Sequence, residues 1–392
     1  MRCLEDLLDM APDRYEVTVI GEEPWGNYNR IMLSPVLSGD KTIDDIMLHP
    51  HAWYSDKGIR FIAGDPAVRI DRPRKQVYTE KGEVVDYDRL ILATGSKPFI
   101  PPIAGADLEG VISFRDIYDI NTMLDYCKTK KNAVVIGGGL LGLEAAYGLK
   151  QRGMNVTVLH LMDRIMERQL DSKASQMLRH SIEQKGISII TEANTEALVG
   201  VDGHVTQIRL KDGTVLEADL VVFAVGIRPN MALAQSAGLR CNRGVLVNDT
   251  MQTFDPSIYA VGECIEHRSQ TFGLVEPLWG QAFICASHLA EHGSLTFKAP
   301  TVPTQLKVSG CDVFSAGNFE PKDDFEDIIL NDEKRQIYKR IIIQKDKVVG
   351  AVLFGDTEDG VWYAELISDQ TPISSIRNKL LFGKDFALKK AG

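Results

Sequence analysis

Three glycines, Gly137, Gly139 and Gly142, form a Gly-x-Gly-x-x-Gly pattern. The pattern is weak alone, and its setting gives it chemical meaning. It follows the apolar run Ala133–Ile136 and opens a helical stretch over Leu143–Lys150, with Ala146 four residues past the third glycine. Such a strand–turn–helix suits a dinucleotide pyrophosphate: Gly137 permits the tight turn, Gly139 lets phosphate approach the backbone, and Gly142 lets helix and strand pack closely. The anion then rests on the helix N-terminus. The next strand, Val156–Leu159, ends at His160, where the residue that reads the adenosine ribose belongs. An acid there favours NAD and a nearby arginine favours NADP. His160, Asp163, Arg164 and Arg168 leave both open. A protonated His160 or Arg164 would accept a 2′-phosphate, and Asp163 opposes it. Arg164 and Arg168 also read as a solvated loop of mixed charge.

Two strand ends carry small residues, Ala93-Thr94-Gly95 and Ala224-Val225-Gly226. A third site, Gly262-Glu263, follows Thr253-x-Asp255-Pro256-x-Ile258-Tyr259-Ala260-Val261. Small residues at strand ends let the backbone approach a cofactor. Cysteines stand at 3, 127, 241, 264, 285 and 311, and no two form CxxC or CxxxxC. That pattern supplies no redox dithiol and no sequence-local ligand set for zinc or an iron–sulfur cluster, so no metal site is expected. The cysteines read as small, buried, apolar residues.

Around these motifs, the chain opens with a helix over residues 3–10, then a strand over Tyr15–Ile20 closed by Gly21. In a nucleotide-binding βαβ unit a strand and a glycine-rich turn precede that helix. Neither lies before it here, so the expectation is a start that lies upstream of Met1. The strand in question would be the central one, buried on both faces, and its neighbours need it for their backbone hydrogen bonds. Residues 67–94 read as a β-meander with a turn at Lys81-Gly82, ending in the strand Leu90-Ile91-Leu92. Pro98, Pro101 and Pro102 mark a crossover. Asp202-Gly203 and Asp212-Gly213 are hairpin signals. Leu220–Val225 is a further strand, and Val245–Val247 and Ile258–Val261 bracket a turn. A helix is predicted over about Leu278–His292. Beyond Pro300, strands at Val313-Phe314, Ile337–Gln344 and Val348–Phe354 suggest a small α+β portion, with its tight turn at Asp346-Lys347.

The length of 392 residues fits two or three domains. A net charge of −10 argues against a nucleic-acid surface, which needs a basic patch. No apolar run approaches transmembrane length. The opening MRCLEDLLDM carries three acids and no signal-peptide core, so a cytoplasmic protein is expected.

Together, ATG at 93–95, the glycine pattern at 137–142, AVG at 224–226 and TxDPxIYAxGE at 253–263 resemble the two-dinucleotide-binding flavoprotein reductases. Within them, EEPWGNYNRIMLS (22–34), GGGLLGLEAA (137–146), ERQLD (167–171) and IYAVGEC (258–264) are similar to the FAD/NAD(P)H module of NAD(P)H-dependent nitrite reductase large subunits. IYKRIII and GAVLFGDT resemble the rubredoxin-reductase-like C-terminal domain of that group. The resemblance implies an α/β fold of two Rossmann-like dinucleotide-binding domains plus a small α+β domain. The FAD-binding domain would be discontinuous, over 1–118 and 241–299. The NAD(P) domain would occupy 119–240 and the C-terminal domain 300–392.

It also implies site roles. Glu22, with Glu23 as neighbouring candidate, would hold the FAD adenosine ribose. Arg30 and Arg115 would approach the flavin nucleotide, and Thr94 and Gly95 its phosphates. Gly226 would end a strand beside the cofactor. Glu263, after Gly262, would accept from the ribityl or pyrophosphate region, and Trp279 would lie near the isoalloxazine. Glu144 would face the nicotinamide. The implied activity is hydride transfer from NAD(P)H to FAD, with electrons passing to an external iron–sulfur or sirohaem acceptor in nitrite or nitrate assimilation. Nitrite would not be reduced by this chain alone. Two alternatives stand beside it: an NAD(P)H-binding fragment without stable FAD, and a standalone rubredoxin or ferredoxin reductase. NAD against NADP, and a homodimer, stay open.

Overall fold

A computed structural model describes residues 1–293, 295–300, 304–308, 310–320 and 324–388. The chain divides into two compact units. One comprises Met1–Leu33, Lys41–Phe99 and Gly226–Pro300; the other comprises Ser34–Asp40, Ile100–Val225 and Thr301–Gly392.

The second unit holds a five-stranded parallel sheet in the order Val111–Ser113, Leu220–Phe223, Asn132–Ile136, Asn155–Leu159, Ile187–Ile190. Ala133–Ile136 is a continuous buried apolar run, and Leu220–Phe223 is buried at every residue. That is the signature of a parallel sheet covered on both faces. Helices Leu140–Gln151 and Ser172–Gln184 make the crossovers. Strand order reverses beside Asn132–Ile136, whose neighbours are Asn155–Leu159 and the later Leu220–Phe223. The glycine turn leaves the carboxyl end of this strand, which is where open α/β sheets bind ligands.

A three-stranded antiparallel sheet, Thr195–Val201, His204–Leu210 and Val215–Glu217, follows in the same unit. Asp202 (φ 51°) and Gly203 (φ 82°) form its first hairpin turn, as their sequence signals. The α+β portion is a five-stranded antiparallel sheet ordered Thr304–Val308, Cys311–Gly317, Lys347–Phe354, Ile337–Gln344, Glu326–Asp332. Helix Gly360–Asp369 covers it, packing Trp362, Tyr363, Leu366 and Ile367 in one cluster with Phe314, Ile341, Val348 and Leu353. The tight turn lies one residue earlier than the sequence suggests. Gln344 pairs with Lys347, so Lys345 (φ 47°) and Asp346 (φ 62°) are the loop and Lys347 begins the returning strand.

The first unit contains, as two-stranded parallel sheets, Thr18–Gly21 with Arg60–Ala63 and Leu90–Leu92 with Ile258–Ala260, and a parallel pair Val245–Leu246 with Ile265–His267. Among the described residues no strand bridges these pairs. The meander expected over 67–94 is the antiparallel sheet Ala67–Asp71, Gln76–Thr79, Val84–Asp86. Helix Arg2–Met10 buries Cys3 and Leu7 in a core shared with Ala282, Cys285, Ala286 and Leu289 of helix Val275–Leu289.

Asp171 ties the parallel sheet's crossover helix to the α+β portion. It caps Ser172–Gln184 by accepting from the Ala174 N–H at 3.0 Å. It also accepts from the Tyr338 hydroxyl at 2.8 Å and from Arg340 at 3.2 Å. Arg340 is buried and also pairs with Asp327 at 2.9 Å. Arg340→Met removes the cation shared by Asp171 and Asp327 and leaves Asp171 with the Ala174 N–H and the Tyr338 hydroxyl. Breaking a buried pair in this one-sided way is expected to lower stability by about 3 kcal/mol, read by thermal or urea unfolding.

Candidate functional site

The glycine turn is shaped by contacts that exclude side chains. Gly137 has φ 127°, and a Cβ there would lie 2.2 Å from the Ala224 carbonyl oxygen. A Cβ on Gly142 would lie 1.9 Å from the Gly137 oxygen. The space over Gly139 is open, with nothing within 4 Å of where its Cβ would be. The two outer glycines thus let strand, turn and helix touch, and the middle one presents bare backbone to any ligand. Gly139 is also the N-cap of helix Leu140–Gln151, with extended backbone and no side-chain cap for the first-turn N–H groups. An anion suits that position.

His160 stands at the end of strand Asn155–Leu159 and is nearly buried. Its Nδ1 accepts from the Gly138 N–H at 3.0 Å, and its Nε2 lies 3.1 Å from Glu167 Oε2. A backbone N–H can only donate, so Nδ1 is the acceptor and Nε2–H donates to the carboxylate. Arg164 lies 3.3 Å from Asp163, and its Nε is buried without a hydrogen-bond partner. Glu167 is not among the residues singled out from sequence. Its only local signal is its place within ERQLD.

Glu144 lies one turn into the same helix. Ser34 Oγ donates to its Oε2 at 2.5 Å across 110 residues of sequence. Burial pushes the Glu144 carboxyl up from its ordinary value, and the Ser34 bond pulls it partly back. Ser34 carries no sequence signal as a partner. The short helix Leu33–Ser38 is held by Arg152, whose Nε and Nη2 donate to the carbonyls of Leu37 (2.6 Å) and Val36 (3.0 Å).

In the other unit, the parallel pairing of Leu90–Leu92 with Ile258–Ala260 brings the ATG and GE strand ends side by side. The Val261 N–H donates to the Leu92 carbonyl at 2.9 Å. Thr94 Oγ1 donates to the Asn230 carbonyl at 2.5 Å, and the Asn230 N–H donates to Gly95 O at 2.9 Å. Ser96 Oγ donates to Glu263 at 2.6 Å. Gly262 has φ 94° and open space where a Cβ would point. Its N–H donates to Gln281 Oε1 at 2.8 Å, while Gln281 Nε2 is buried with no hydrogen-bond partner. Gly226, at φ 109°, also faces open space.

Residues 3–281 match the family described as pyridine nucleotide-disulphide oxidoreductase, and residues 303–371 match the rubredoxin NAD+ reductase C-terminal domain. The chain belongs to the pyridine nucleotide-disulphide oxidoreductase family. It is 48% identical to a Bacillus subtilis nitrite reductase (NAD(P)H), over 95% of this chain and 46% of the relative. It is 41% identical to the assimilatory nitrate reductase electron transfer subunit of the same organism, over 97% of this chain and 49% of the relative. The chain thus spans about half the length of these curated relatives. NADH:rubredoxin oxidoreductase from Clostridium acetobutylicum superposes with a TM-score of 0.81 at 27% identity, over 96% of this chain and 94% of that one.

Members of this family bind FAD and NAD(P)H, and the chain is an NAD(P)H-dependent flavin oxidoreductase module with the expected α/β two-dinucleotide fold. Its residues fit both groups. The bare backbone over Gly139 suits a pyrophosphate. The open Gly262 and the unpartnered Gln281 amide suit a flavin nucleotide at the strand ends.

Glu22 and Glu23 directly follow strand Thr18–Gly21. Glu22 is exposed there. Glu23 accepts from Arg30 at 2.5 Å, from the Tyr28 hydroxyl at 2.6 Å and from Trp25 Nε1 at 3.2 Å. The Arg30 guanidinium also lies over the Tyr28 ring, 5.0 Å from its centroid. Trp279 projects from helix Val275–Leu289 and is 58% exposed, so it is not a core aromatic. Arg115 belongs to the other unit, and its N–H donates to Asp119 at 2.6 Å. Among the described residues no His, Cys, Asp or Glu side chains gather as a metal site, and all six cysteines are free.

Ser34→Ala removes the one bond that favours the Glu144 anion. The carboxyl is expected to titrate still higher above 4.5 in carboxyl-selective NMR. Because the folded-state value is raised, this group's contribution to stability falls as pH rises past the unfolded value and levels off above the folded one. Glu144→Gln is expected to flatten that limb.

Proposed function

We propose that this chain draws a hydride from NAD(P)H and delivers electrons to an external iron–sulfur or sirohaem acceptor in nitrite or nitrate assimilation. The carrying observation is one chain with two cofactor surfaces: an open glycine turn in one unit, and a strand-end cradle at Gly262 with an unpartnered Gln281 amide in the other. The names of the Bacillus subtilis relatives favour a nitrogen-assimilation partner. A cytoplasmic module fits this reading. In the reading the FAD-binding domain is residues 1–118 and 241–299, the NAD(P) domain 119–240 and the C-terminal domain 300–392.

The residues divide the work by what they can donate and accept. Gly137, Gly139 and Gly142 shape the surface that takes the dinucleotide pyrophosphate, with His160 and Arg164 beside its adenosine end. Glu144 presents a carboxyl toward the nicotinamide. Burial favours its protonated form, so it acts as a hydrogen-bond donor over a wider pH range than a solvated glutamate. Glu22 is exposed and accepts from the FAD ribose, whereas Glu23 already accepts from three donors and orients Arg30 toward the flavin nucleotide. Thr94, Gly95, Gly226, Gly262 and Glu263 offer backbone and carboxylate contacts at the strand ends, and Trp279 supplies an aromatic face for the isoalloxazine. When bound, FAD supplies the hydride acceptor that releases electrons singly; the protein supplies orientation and electrostatics.

A second reading, a standalone reductase of rubredoxin or ferredoxin, is favoured by the superposition that covers 94% of the rubredoxin oxidoreductase. Anaerobic mixing separates the two. Flavin reduced by NAD(P)H is expected to be reoxidised by the iron–sulfur and sirohaem partner protein and not by rubredoxin or ferredoxin. The reverse result supports the second reading. Failure of the purified chain to hold or take up FAD overturns both.

Gly262→Val places a branched side chain at φ 94° and over the open cradle. Flavin content after reconstitution is expected to fall at least about tenfold, since a left-handed β-branched residue adds roughly 1–2 kcal/mol of strain to the steric block.

A further inference from the structure

We propose that the dinucleotide site is built for NADH rather than NADPH, and that Glu167, held against the glycine turn by His160, is the residue that selects. The proposal rests on the reading that residues 137–142 take a nicotinamide dinucleotide, and it specifies the coenzyme.

The loop after strand Asn155–Leu159 is bolted to the turn at a single residue. Gly138 uses both of its backbone groups on it: its N–H donates to His160 Nδ1 at 3.0 Å, and its carbonyl accepts from the Met166 N–H at 3.0 Å. The packing is tight, since a Cβ on Gly138 would lie 2.8 Å from His160 Cγ and 2.9 Å from Ile165 Cγ2. Glu167 follows Met166 directly, so its backbone is placed beside the turn. Its carboxylate is then fixed by Nε2–H of His160 at 3.1 Å.

This arrangement delivers an acid to the adenosine end by an indirect route. An acid near the end of the second strand commonly accepts from the ribose 2′-hydroxyl. Here the strand ends in histidine, and the acid arrives seven residues later, oriented through the ring. Glu167 keeps Oε1 available, its nearest cation being Arg168 at 3.6 Å, an 85% exposed side chain. His160 has no nitrogen left for a phosphate, because both already hold protein partners.

Charge points the same way. A 2′-phosphate adds about −1.5 to −2 at neutral pH. The loop offers it no surplus cation: Arg164 lies against Asp163 at 3.3 Å and Arg168 against Glu167 at 3.6 Å. A phosphate seated here would meet Glu167 at short range, with like charges in a partly buried setting. The one feature that would favour NADPH is Arg164, whose Nε is buried and unpartnered.

The test is calorimetric titration of the purified full chain with ADP-ribose and with its 2′-phosphate, followed by the same pair on variants. The wild type is expected to bind ADP-ribose at least about tenfold more tightly, the scale of a hydrogen bond to a charged group. Glu167→Gln is expected to bring the two affinities within about threefold, because it lifts the repulsion of the phosphate. His160→Asn keeps an acceptor for the Gly138 N–H but is too short to hold Glu167, and is expected to erode the preference in the same direction. A general loss of structure would weaken both ligands alike and leave the ratio unmoved, so the ratio reports positioning rather than folding. Arg164→Ala removes the one feature that would favour the 2′-phosphate and is expected to widen the preference for ADP-ribose. Equal or tighter binding of the 2′-phosphate by the wild type overturns the proposal, as does a preference that survives both Glu167→Gln and His160→Asn. Binding of neither ligand by a chain that still takes up FAD overturns instead the dinucleotide reading of the turn.

Discussion

The second unit depends on the near contact between the glycine turn and the strand end beside it. The Ala224 carbonyl would sit 2.2 Å from a Cβ on Gly137, and the Gly137 carbonyl 1.9 Å from a Cβ on Gly142. Two segments far apart in sequence, the glycine turn and the strand end at Ala224, therefore meet at backbone distance. The contact can form only where side chains are missing, and it sets how closely helix Leu140–Gln151 lies on the sheet. Everything that reads as coenzyme chemistry in this unit follows from it: the bare backbone over Gly139, the uncapped helix start, Glu144 one turn further on, and the anchorage of the next loop at Gly138. The sheet can support such a turn because Ala133–Ile136 and Leu220–Phe223 are apolar and buried.

Around this frame the buried polar groups form short, specific pairs. Ser34 with Glu144, Gln281 with the Gly262 N–H, Ser96 with Glu263 and His160 with Glu167 each join residues that the chain keeps apart. A buried polar atom that lacks a partner is expensive, so each pair restrains its members strongly. Among the described residues six buried side-chain atoms lack a partner, and two of them, Gln281 Nε2 and Arg164 Nε, belong to residues near the Gly262 strand end and in the loop after His160. The Asp171–Tyr338–Arg340 cluster serves packing instead, since it lies between a crossover helix and the antiparallel sheet.

Much of this is legible in the residues alone because the demands are local. A turn that needs left-handed backbone selects glycine or aspartate wherever it occurs, so the turns at Gly137 and Asp202-Gly203 announce themselves by residue type. Apolar runs of strand length at 133–136 and 220–223 mark a covered parallel sheet. The hairpin at Lys345-Asp346 shows the limit: its existence is evident, but its register depends on which residue pairs across the sheet.

The residues alone mark the glycine turn, its flanking strand and helix, and the small-residue strand ends, because period, turn chemistry and small-residue positions act over a few neighbouring residues. Which polar groups meet is set by packing across the fold. At His160 the sequence offers a ligand for a 2′-phosphate, and the fold gives both ring nitrogens protein partners. Nothing local in the sequence marks Glu167 as the partner of His160 or Ser34 as that of Glu144, because a partner 7 or 110 residues away is chosen by packing. Hydrogen bonds act over about 3 Å, and no pattern of spacing in a chain reports distances of that kind across a fold.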